Sequence, residues 1–361
     1  MSKRILIKTI EANAIPHFNR DQTEQLIRQI ENGDLPQLDA AAFGYMPDYM
    51  NYHLDNLETG ILYQYIKTSL GNIGVFALPI RNIELYSRKD RLLSICGSTI
   101  NKLKNLGVRV VSLTGLIPSA TNYGLDILST VNNGIQITTG HATTVASMVL
   151  SLERLLNECD RDIQNENIAI IGIGSIGSAF SETLLMLYPK IERLVLCDIY
   201  EKRDSLQRFK GRLASKYNSK IEILFSTAKE LPESFYDATL VIGATNVKDV
   251  VDVKKLKPGT LLLDDSSPHC FSEEHAIKRL KSTADILFTE GGILESEEEM
   301  EKSTLKLANV FESNFNRHFN HKKEITGCIL SSLLTDKCCE LTATLDKVDS
   351  MECIKHYHKL K

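Results

Sequence analysis

The chain has 361 residues, of which 43% are hydrophobic and 24% are charged, which is enough for two domains with sizeable cores. Its 42 basic and 46 acidic side chains give a formal charge of −4, which argues against a nucleic-acid partner. Its eight cysteines include no CxxC pair, and no apolar run approaches the roughly 18 residues of a membrane span. We therefore expect a cytoplasmic protein with free thiols, no structural zinc and no membrane span.

The first 160 residues predict an α/β domain that ends in a bridging helix. Residues 1–70 are polar and irregular, and prolines interrupt them. Beyond that point the expected elements are a strand at 75–80, a helix at 89–106, a strand at 108–113 and a helix from 138 to about 158. The apolar side chains of the last helix share one face, so we expect that face to pack against another layer.

From residue 166 to about 300, apolar strands alternate with helices. The six expected strands cover residues 168–172, 193–197, 222–225, 238–242, 261–264 and 285–288. Apolar strands separated by helices are typical of a parallel sheet that is covered on both faces. From about residue 299 the pattern is helical, and the acidic run Glu295–Glu301 is interpreted as the solvated start of a helix.

These patterns predict an α/β fold with two domains. We assign residues 1–160 to an N-terminal α/β substrate domain that includes the bridging helix. Residues 161–300 are assigned to a Rossmann-type doubly wound parallel sheet that binds a dinucleotide. Residues 301–361 are assigned to a C-terminal helical segment that packs back on the cleft between the two domains.

A GxGxxG motif, Gly172-Ile173-Gly174-Ser175-Ile176-Gly177, marks the dinucleotide site. It follows an apolar strand and opens a helix, and Asp198 closes the next strand about 20 residues later, which is the context of the Rossmann fingerprint. We predict NADH or NADPH, with NADH slightly favoured because the Asp198 carboxylate binds ribose hydroxyls and repels a 2′-phosphate. Lys202 and Arg203 lie just beyond Asp198 and could bind a 2′-phosphate, so NADPH is the other possible cofactor. A domain that binds S-adenosylmethionine, or no ligand, is the alternative.

Two later loops are expected to face the cofactor, because ligands bind at the carboxyl ends of parallel strands. Ala244-Thr245-Asn246 suits a close approach to the nicotinamide ribose. The polar run from Asp264 to Cys270 contains His269, a candidate acid or base, although a plain turn explains the run equally well. His141 begins the bridging helix, where the helix dipole favours a neutral ring that can act as acid or base or orient a carbonyl. A capping element is the alternative.

Six short segments, taken together and in their order along the chain, resemble the motifs of a known family. They are Gly115–Ser119, Ile137–His141, Ile176–Ala179, Asp264–Pro268, Gly291–Gly292 and Gly327–Leu330. In these segments the chain resembles the cyanobacterial long-chain acyl-(acyl-carrier-protein) reductases, which make fatty aldehydes from acyl thioesters. The resemblance runs from about residue 110 to about residue 340. The first 110 residues match poorly, and Asp198 and His141 depart from the family's pattern.

The resemblance implies reduction of an acyl thioester to an aldehyde by a nicotinamide cofactor. Cys328 occupies the place of the family's acylated cysteine, so the resemblance makes it the nucleophile, with Cys270 as its rival. It also implies that an acyl carrier protein or acyl-CoA delivers the acyl group. The basic segment Arg317–Lys323 suits an acidic carrier protein, although a solvated face explains it as well.

Two other kinds of function are open. The same layout occurs in shikimate dehydrogenase-like and glutamyl-tRNA reductase-like oxidoreductases, although the net charge argues against tRNA and no Lys/Asp catalytic pair is evident. The chain could also be a dinucleotide-binding regulatory protein without turnover. With any of these functions, the chain could form a homo-oligomer. Cofactor oxidation measured with a panel of acyl thioesters separates the three functions.

Overall fold

Two six-stranded sheets form the framework of the residues that the structure describes. This computed structural model describes residues 27–34, 36–46, 56–131, 134–227, 230–304 and 321–361. The strands are β1 Ala40–Met46, β2 Ile61–Lys67, β3 Asn72–Arg81, β4 Val110–Leu113, β5 Gln136–Thr138, β6 Ile168–Ile171, β7 Arg193–Ile199, β8 Lys220–Ser226, β9 Leu240–Gly243, β10 Thr260–Asp264, β11 Ile286–Glu290, β12 Ile293–Glu295, β13 Glu301–Thr304 and β14 Glu324–Thr326. The longer helices are α1 Lys89–Leu103, α2 His141–Glu158, α3 Ser175–Leu187, α4 Arg203–Lys216, α5 Glu273–Ser282, α6 Gly327–Lys337 and α7 Ser350–Leu360, and short helical turns lie at Ile117–Ala120 and Leu125–Leu128.

The first sheet belongs to the N-terminal domain and has the strand order β13-β2-β3-β1-β4-β5. Strands β3, β1, β4 and β5 run parallel, whereas β2 is antiparallel to both β3 and β13. Side chains of β1 alternate between the two faces of the sheet. Ala41 and Phe43 join the core that α1 covers, and Ala40 and Ala42 join the core that α6 covers.

The expectation that residues 1–70 are irregular is wrong where the structure describes them, because β1 and β2 lie there. β1 is an inner strand of the sheet, although its sequence is Ala-Ala-Ala-Phe-Gly-Tyr-Met. Alanine is depleted in strands, so the local pattern is weak. The small side chains of Ala40 and Ala42 pack in one cluster with Ile329 and Leu333 of α6, a partner that lies too far along the chain for a local pattern to reveal.

The second sheet is a Rossmann sheet. Its order is β8-β7-β6-β9-β10-β11 and its described neighbours are parallel, which is the strand order 3-2-1-4-5-6 of the dinucleotide-binding fold. All six predicted strands are confirmed, with ends within two residues of those expected. Helices α2, α3 and α7 share the core on one face, and α5 contributes Ala276 to the core on the other. The chain therefore has the predicted α/β fold.

The start of the C-terminal segment differs from the helical prediction. β13 extends the first sheet and β14 pairs with β12, so strands occur where a helix was expected. The acidic run does not start a helix, because Glu295 ends β12 and Glu301 begins β13. Their carboxylates pair with Arg154 at 2.7 Å and Lys67 at 3.1 Å. Strand pairing and tertiary contacts such as these outweigh the helix propensity of glutamate, because tertiary context routinely overrides propensity.

The last described segment, residues 321–361, connects both domains. α6 packs on β1 and β4 of the first sheet, and α7 packs on α2 and α3 beside the Rossmann sheet. Residues 317–320 of the predicted basic segment lie outside the described residues. Lys322 lies 3.4 Å from Glu299, and Lys323 donates a hydrogen bond to the Glu297 carbonyl at 3.0 Å. Among the described helices, none combines the length and the apolar character that crossing a bilayer requires.

Candidate active site

A cleft of about 580 Å³ is lined by residues of both domains. Residues at the carboxyl ends of β6, β7, β9 and β10 form one side, and residues after β4 and β5 contribute to the other. The predicted site residues that line the cleft are Gly172, Gly174, Ser175, Ile176, Asp198, Ala244, Thr245, Asn246, His141, His269 and Cys328. Gly177 lies directly behind this lining, against Gly172. The structure thus brings all the predicted site residues to one cleft.

The glycine-rich loop between β6 and α3 leaves open space at the start of the helix. Gly172 has a φ of 90°, and a Cβ there would collide with the Ala244 carbonyl. A Cβ on Gly177 would collide with the Gly172 carbonyl oxygen, so close packing of loop and helix requires glycine. Gly174, in contrast, is the N-cap of α3 and has no protein atom within 4 Å of an added Cβ. The open space therefore lies where backbone N–H groups of a helix N-terminus favour an anion.

Asp198 connects the end of β7 to the glycine-rich loop. Its carboxylate accepts hydrogen bonds from the backbone N–H groups of Ile173 and Ile199, each at 2.8 Å, and pairs with Lys202 Nζ at 2.8 Å. Asp198 is only 6% exposed, but it lines the cleft. A carboxylate at this strand end, beside an open helix N-terminus, fits the ribose and pyrophosphate of a nicotinamide dinucleotide. The residues present therefore fit NADH or NADPH.

We expect the chain to bind NADH more tightly than NADPH, and Asp198→Ser to narrow or reverse that difference. The substitution removes the charge that repels a 2′-phosphate and leaves the Lys202 ammonium without its partner, free to attract one. A tenfold change in relative affinity corresponds to about 1.4 kcal/mol. Titration of cofactor fluorescence measures both dissociation constants, with Glu201→Gln as a control for the loss of a neighbouring charge. A tenfold wild-type preference for NADPH would contradict the assignment.

His141 is the first residue of α2, and its side chain contacts the start of α3. Its Nδ1 lies 2.9 Å from the Ser175 Oγ, which also accepts the Val348 N–H at 3.1 Å. The buried Ser175 hydroxyl needs an acceptor for its own proton, so we assign that role to Nδ1 and the ring proton to Nε2. Burial lowers the pKa of His141 to about 4, which keeps the ring neutral at physiological pH. The geometry favours a neutral hydrogen-bond donor over a general base.

His269 is held by carboxylates on both ring nitrogens. Nδ1 lies 2.9 Å from Asp264 Oδ2, and Nε2 lies 2.8 Å from Glu273 Oε1 and 3.4 Å from Glu290 Oε1. Hydrogen bonds to Asp264, Glu273 and Glu290 raise the pKa of His269 to about 12, so the ring keeps both of its protons. This geometry favours a structural role, in which His269 ties the loop after β10 to α5 and β11, over the acid–base role predicted from the sequence.

The charge on His269 should make stability depend on pH. Its pKa in the folded state is about 12, above the ordinary value of 6.5, so its contribution is complete below pH 6.5 and is lost as pH rises toward 12. We expect the free energy of unfolding to fall by about 1–2 kcal/mol more between pH 7 and 9 in the wild type than in His269→Gln. Urea titrations at the two pH values measure this difference. His275→Gln, at an exposed position of α5, is the control. The prediction would be contradicted if the free energy of unfolding fell equally between pH 7 and 9 in the wild type and in His269→Gln.

Cys328 is the second residue of α6 and lines the cleft together with Thr326. Its Sγ lies 3.5 Å from Thr326 Oγ1, and backbone N–H groups of Gly115 and Ile329 also face the sulfur. Burial raises the pKa of the Cys328 thiol, and these hydrogen bonds oppose the rise. The Ser112 hydroxyl donates to the Cys328 carbonyl at 2.5 Å, which fixes the start of α6 against β4. Two backbone N–H donors thus face the sulfur, and the thiol itself donates to Thr326 Oγ1.

The other cysteines are placed less favourably for chemistry in the cleft. All eight are described and free, and Cys328 alone of them lines the cleft. Cys270, the rival nucleophile, is 1% exposed and belongs to a hydrophobic core of the Rossmann domain. Burial and the Asp264 carboxylate raise the pKa of the Cys270 thiol. The geometry therefore favours Cys328 over Cys270 as the reactive thiol.

Asp265 also lines the cleft, but the sequence did not distinguish it from its neighbours. It directly follows Asp264, the last residue of β10, and successive side chains at a strand end point in opposite directions. Asp264 also lines the cleft, but its carboxylate is engaged by His269 and by the backbone N–H groups of Ser266 and Cys270. The adjacent pair of carboxylates was the available signal in the sequence that a second carboxyl group lies at this strand end.

Comparisons with known proteins show similarity at the level of the fold only. No protein-family model matches the chain, and no curated protein matches it in sequence. The chain is 11% identical to 5-ketofructose reductase of Gluconobacter sp. strain CHM43, with 90% of this chain and 99% of that chain covered and a TM-score of 0.36. It is 10% identical to shikimate 5-dehydrogenase from Listeria monocytogenes, solved with shikimate and NAD, with 70% and 86% covered and a TM-score of 0.33.

A third structure, L-tryptophan dehydrogenase from Nostoc punctiforme, is 11% identical with a TM-score of 0.34. The match covers 61% of this chain and 58% of that protein, so the chain spans less than two thirds of the length of this relative. Because the TM-scores are low, we base the functional argument on the cleft itself.

Proposed function

We propose that this chain is an NAD(P)H-dependent reductase that converts an acyl thioester to an aldehyde through a thioester on Cys328, with NADH slightly favoured. The observation that carries the proposal is the position of Cys328, a thiol in the first turn of α6 that lines the same cleft as the glycine-rich loop. Acyl transfer to the enzyme followed by reduction requires a nucleophilic thiol beside a nicotinamide site.

Cys328 would take the acyl group from its donor. The thiol loses its proton, the sulfur attacks the acyl carbon, and the donor thiol departs, which leaves the acyl group on the enzyme. Thr326 and the backbone N–H groups of Gly115 and Ile329 support this step because they stabilise the thiolate over the thiol. The surrounding burial acts in the opposite direction, so the resting thiol is protonated and becomes nucleophilic only on deprotonation.

His141 would stabilise the negative charge that develops on the acyl oxygen. Gly140 lies against the backbone of Cys328, so the start of α2 and the thiol share one region of the cleft. The Ser175 contact holds the ring in the tautomer that carries a proton on Nε2, and the low pKa keeps it there without a net charge. A fixed neutral donor stabilises an oxyanion in the transition state without having to lose a proton itself.

The Rossmann half of the cleft would hold the cofactor. The N-terminus of α3 at Gly174 binds the pyrophosphate, Asp198 binds the adenosine ribose, and Ala244–Asn246 lie beside the nicotinamide ribose. When bound, the reduced nicotinamide supplies the hydride that the acyl group requires. The reduced adduct on Cys328 then collapses, which releases the aldehyde and restores the thiolate.

The acyl donor in this proposal is an acyl carrier protein or acyl-CoA. Both present the acyl group as an alkyl thioester, so the chemistry at Cys328 is the same. The described part of the basic segment is already engaged, since Lys322 and Lys323 contact the loop that contains Glu297 and Glu299. A panel that contains both donors with the same acyl group distinguishes them by the ratio of kcat/KM values.

Direct reduction of a ketone, as in a shikimate dehydrogenase-like enzyme, is the competing function. That chemistry in the expected form uses a Lys/Asp pair beside the substrate. Among the described residues that line the cleft, the one lysine is Lys202, which pairs with Asp198 at the ribose end. The cleft therefore supports the thiol route better than the Lys/Asp route.

Intact-mass spectrometry tests the proposed function. Incubated with an acyl-pantetheine thioester and without reduced cofactor, the protein should gain the mass of one acyl group, because acyl transfer does not require hydride. Addition of NADH should then remove that mass and release aldehyde. The absence of an adduct, together with cofactor oxidation that depends on a ketone, would assign the chain to the competing function.

A further inference from the structure

Asp265 is a carboxyl group in the cleft that the described structure leaves without a polar partner. The neighbouring Asp264 carboxylate is bound by His269 and by the backbone N–H groups of Ser266 and Cys270. In contrast, the described residues provide no hydrogen bond or ion pair to the Asp265 carboxyl. Its backbone N–H is bound to the Gly243 carbonyl at 2.9 Å, so the residue itself is well fixed.

Asp265 lies close to the helix that carries Cys328. Its Oδ1 is 2.5 Å from the place where a Cβ on Gly292 would stand, so the carboxyl packs directly against that glycine. The carbonyl of the same glycine accepts the N–H of Gly327 at 2.8 Å, and Gly327 immediately precedes Cys328. The carboxyl and the thiol are thus connected through Gly292 and Gly327, and both line the same cleft.

The charges around Asp265 disfavour a second anion in this part of the cleft. The Asp264 and Glu290 carboxylates face it, and the His269 imidazolium is the one opposing charge among the groups that affect it. Burial, followed by these two carboxylates, raises the pKa of Asp265 well above its ordinary range, which favours the protonated carboxyl. A thiolate that departed here without a proton would meet the same repulsion.

We infer that Asp265 donates the proton that the departing donor sulfur takes up when Cys328 is acylated, an inference that rests on the proposed function. The Cys328 proton first passes to solvent, and the bond between its sulfur and the acyl carbon forms. The bond from that carbon to the donor sulfur breaks with its electron pair, and the Asp265 proton goes to that sulfur. The Asp265 carboxylate then recovers a proton from water, so the step is balanced.

Two donors with the same acyl group but different leaving thiols test this role without cofactor. A pantetheine thioester releases an alkyl thiolate that needs a proton, whereas a thiophenyl ester releases a stable thiolate that does not. Asp265→Asn should slow acylation of Cys328 by the pantetheine thioester about 100-fold or more. It should change acylation by the thiophenyl ester by less than about threefold, because asparagine preserves the shape of the side chain.

The pH profile gives a second readout that does not depend on a variant. In the wild type, acylation by the pantetheine thioester should fall at high pH as Asp265 loses its proton, whereas acylation by the thiophenyl ester should not. Glu274→Gln, at an exposed position of α5, is the control for loss of a carboxyl group and should change neither rate.

The outcomes separate the inference from the proposed function. Equal slowing with both donors would identify Asp265 as structural and overturn the inference, as would unchanged rates with both. Absence of a high-pH fall specific to the pantetheine thioester would overturn it as well. If neither donor acylates wild-type Cys328, the proposed function fails and the inference fails with it.

Discussion

Cys328→Ser is expected to abolish both the acyl adduct and the aldehyde product. A serine hydroxyl is a far weaker nucleophile than a partly ionised thiol, and no described general base contacts this position. We expect aldehyde formation to fall by about three orders of magnitude or more. Intact-mass spectrometry follows the adduct, and NADH oxidation follows turnover. Cofactor binding should be unchanged, because the side chain lies outside the glycine-rich loop.

Cys270→Ser is the matched control for this experiment. The residue lies in the core and does not line the cleft, so the variant should keep the adduct and the product even if its stability decreases. An adduct mapped to Cys270 would preserve the reaction class and transfer the nucleophile to that residue. If Cys328→Ser still formed aldehyde at the wild-type rate, a route through a thioester on Cys328 would be ruled out.

Gly174→Val should eliminate cofactor binding while the fold stays intact. A Cβ at this position meets no described protein atom, so the valine side chain occupies the space that the pyrophosphate needs. We expect the dissociation constant for NADH to rise by about 100-fold or more, equivalent to about 2.7 kcal/mol. Titration of NADH fluorescence measures binding, and thermal unfolding without cofactor measures the fold.

Gly211→Val provides the corresponding control away from the cleft. Gly211 lies in α4, where an added Cβ also meets no atom, so the same change should leave both cofactor affinity and unfolding temperature nearly constant. If Gly174→Val binds NADH with a dissociation constant within about threefold of the wild-type value, the pyrophosphate does not bind at Gly174. A large loss of stability in Gly174→Val would instead mean that the glycine is needed for packing, as at Gly177.

The Rossmann domain was predictable because its signals are local. Each of its six strands is a short apolar run bounded by a helix or a turn, and the glycine motif lies at a fixed position between β6 and α3. Because parallel strands end at the same edge, the sequence also placed Asp198 and Ala244–Asn246 at one site. Those residues line one cleft in the structure.

The N-terminal and C-terminal segments were less predictable because their partners are distant in sequence. The alanines of β1 are buried by α6, nearly 300 residues later, and the β13 edge strand pairs with β2. A local pattern contains no information about such pairs, and helix or strand propensity is then a weak guide. For the same reason, the sequence left His269 open as a candidate acid or base beside a plain turn. Its three carboxylate partners come from β10, α5 and β11, and only the fold brings them together.

The arrangement of α6 and α7 means that one C-terminal segment packs on both the first sheet and the Rossmann domain. α6 supplies the thiol and also covers the apolar face of β1, while α7 covers α2 and α3. A chain cut before residue 321 would lose Cys328 and would expose the apolar surfaces of β1 and of α2 and α3 at once. A chimera that exchanges only the Rossmann domain must therefore carry a matching C-terminal segment, so the segment that contains Cys328 changes together with the scaffold.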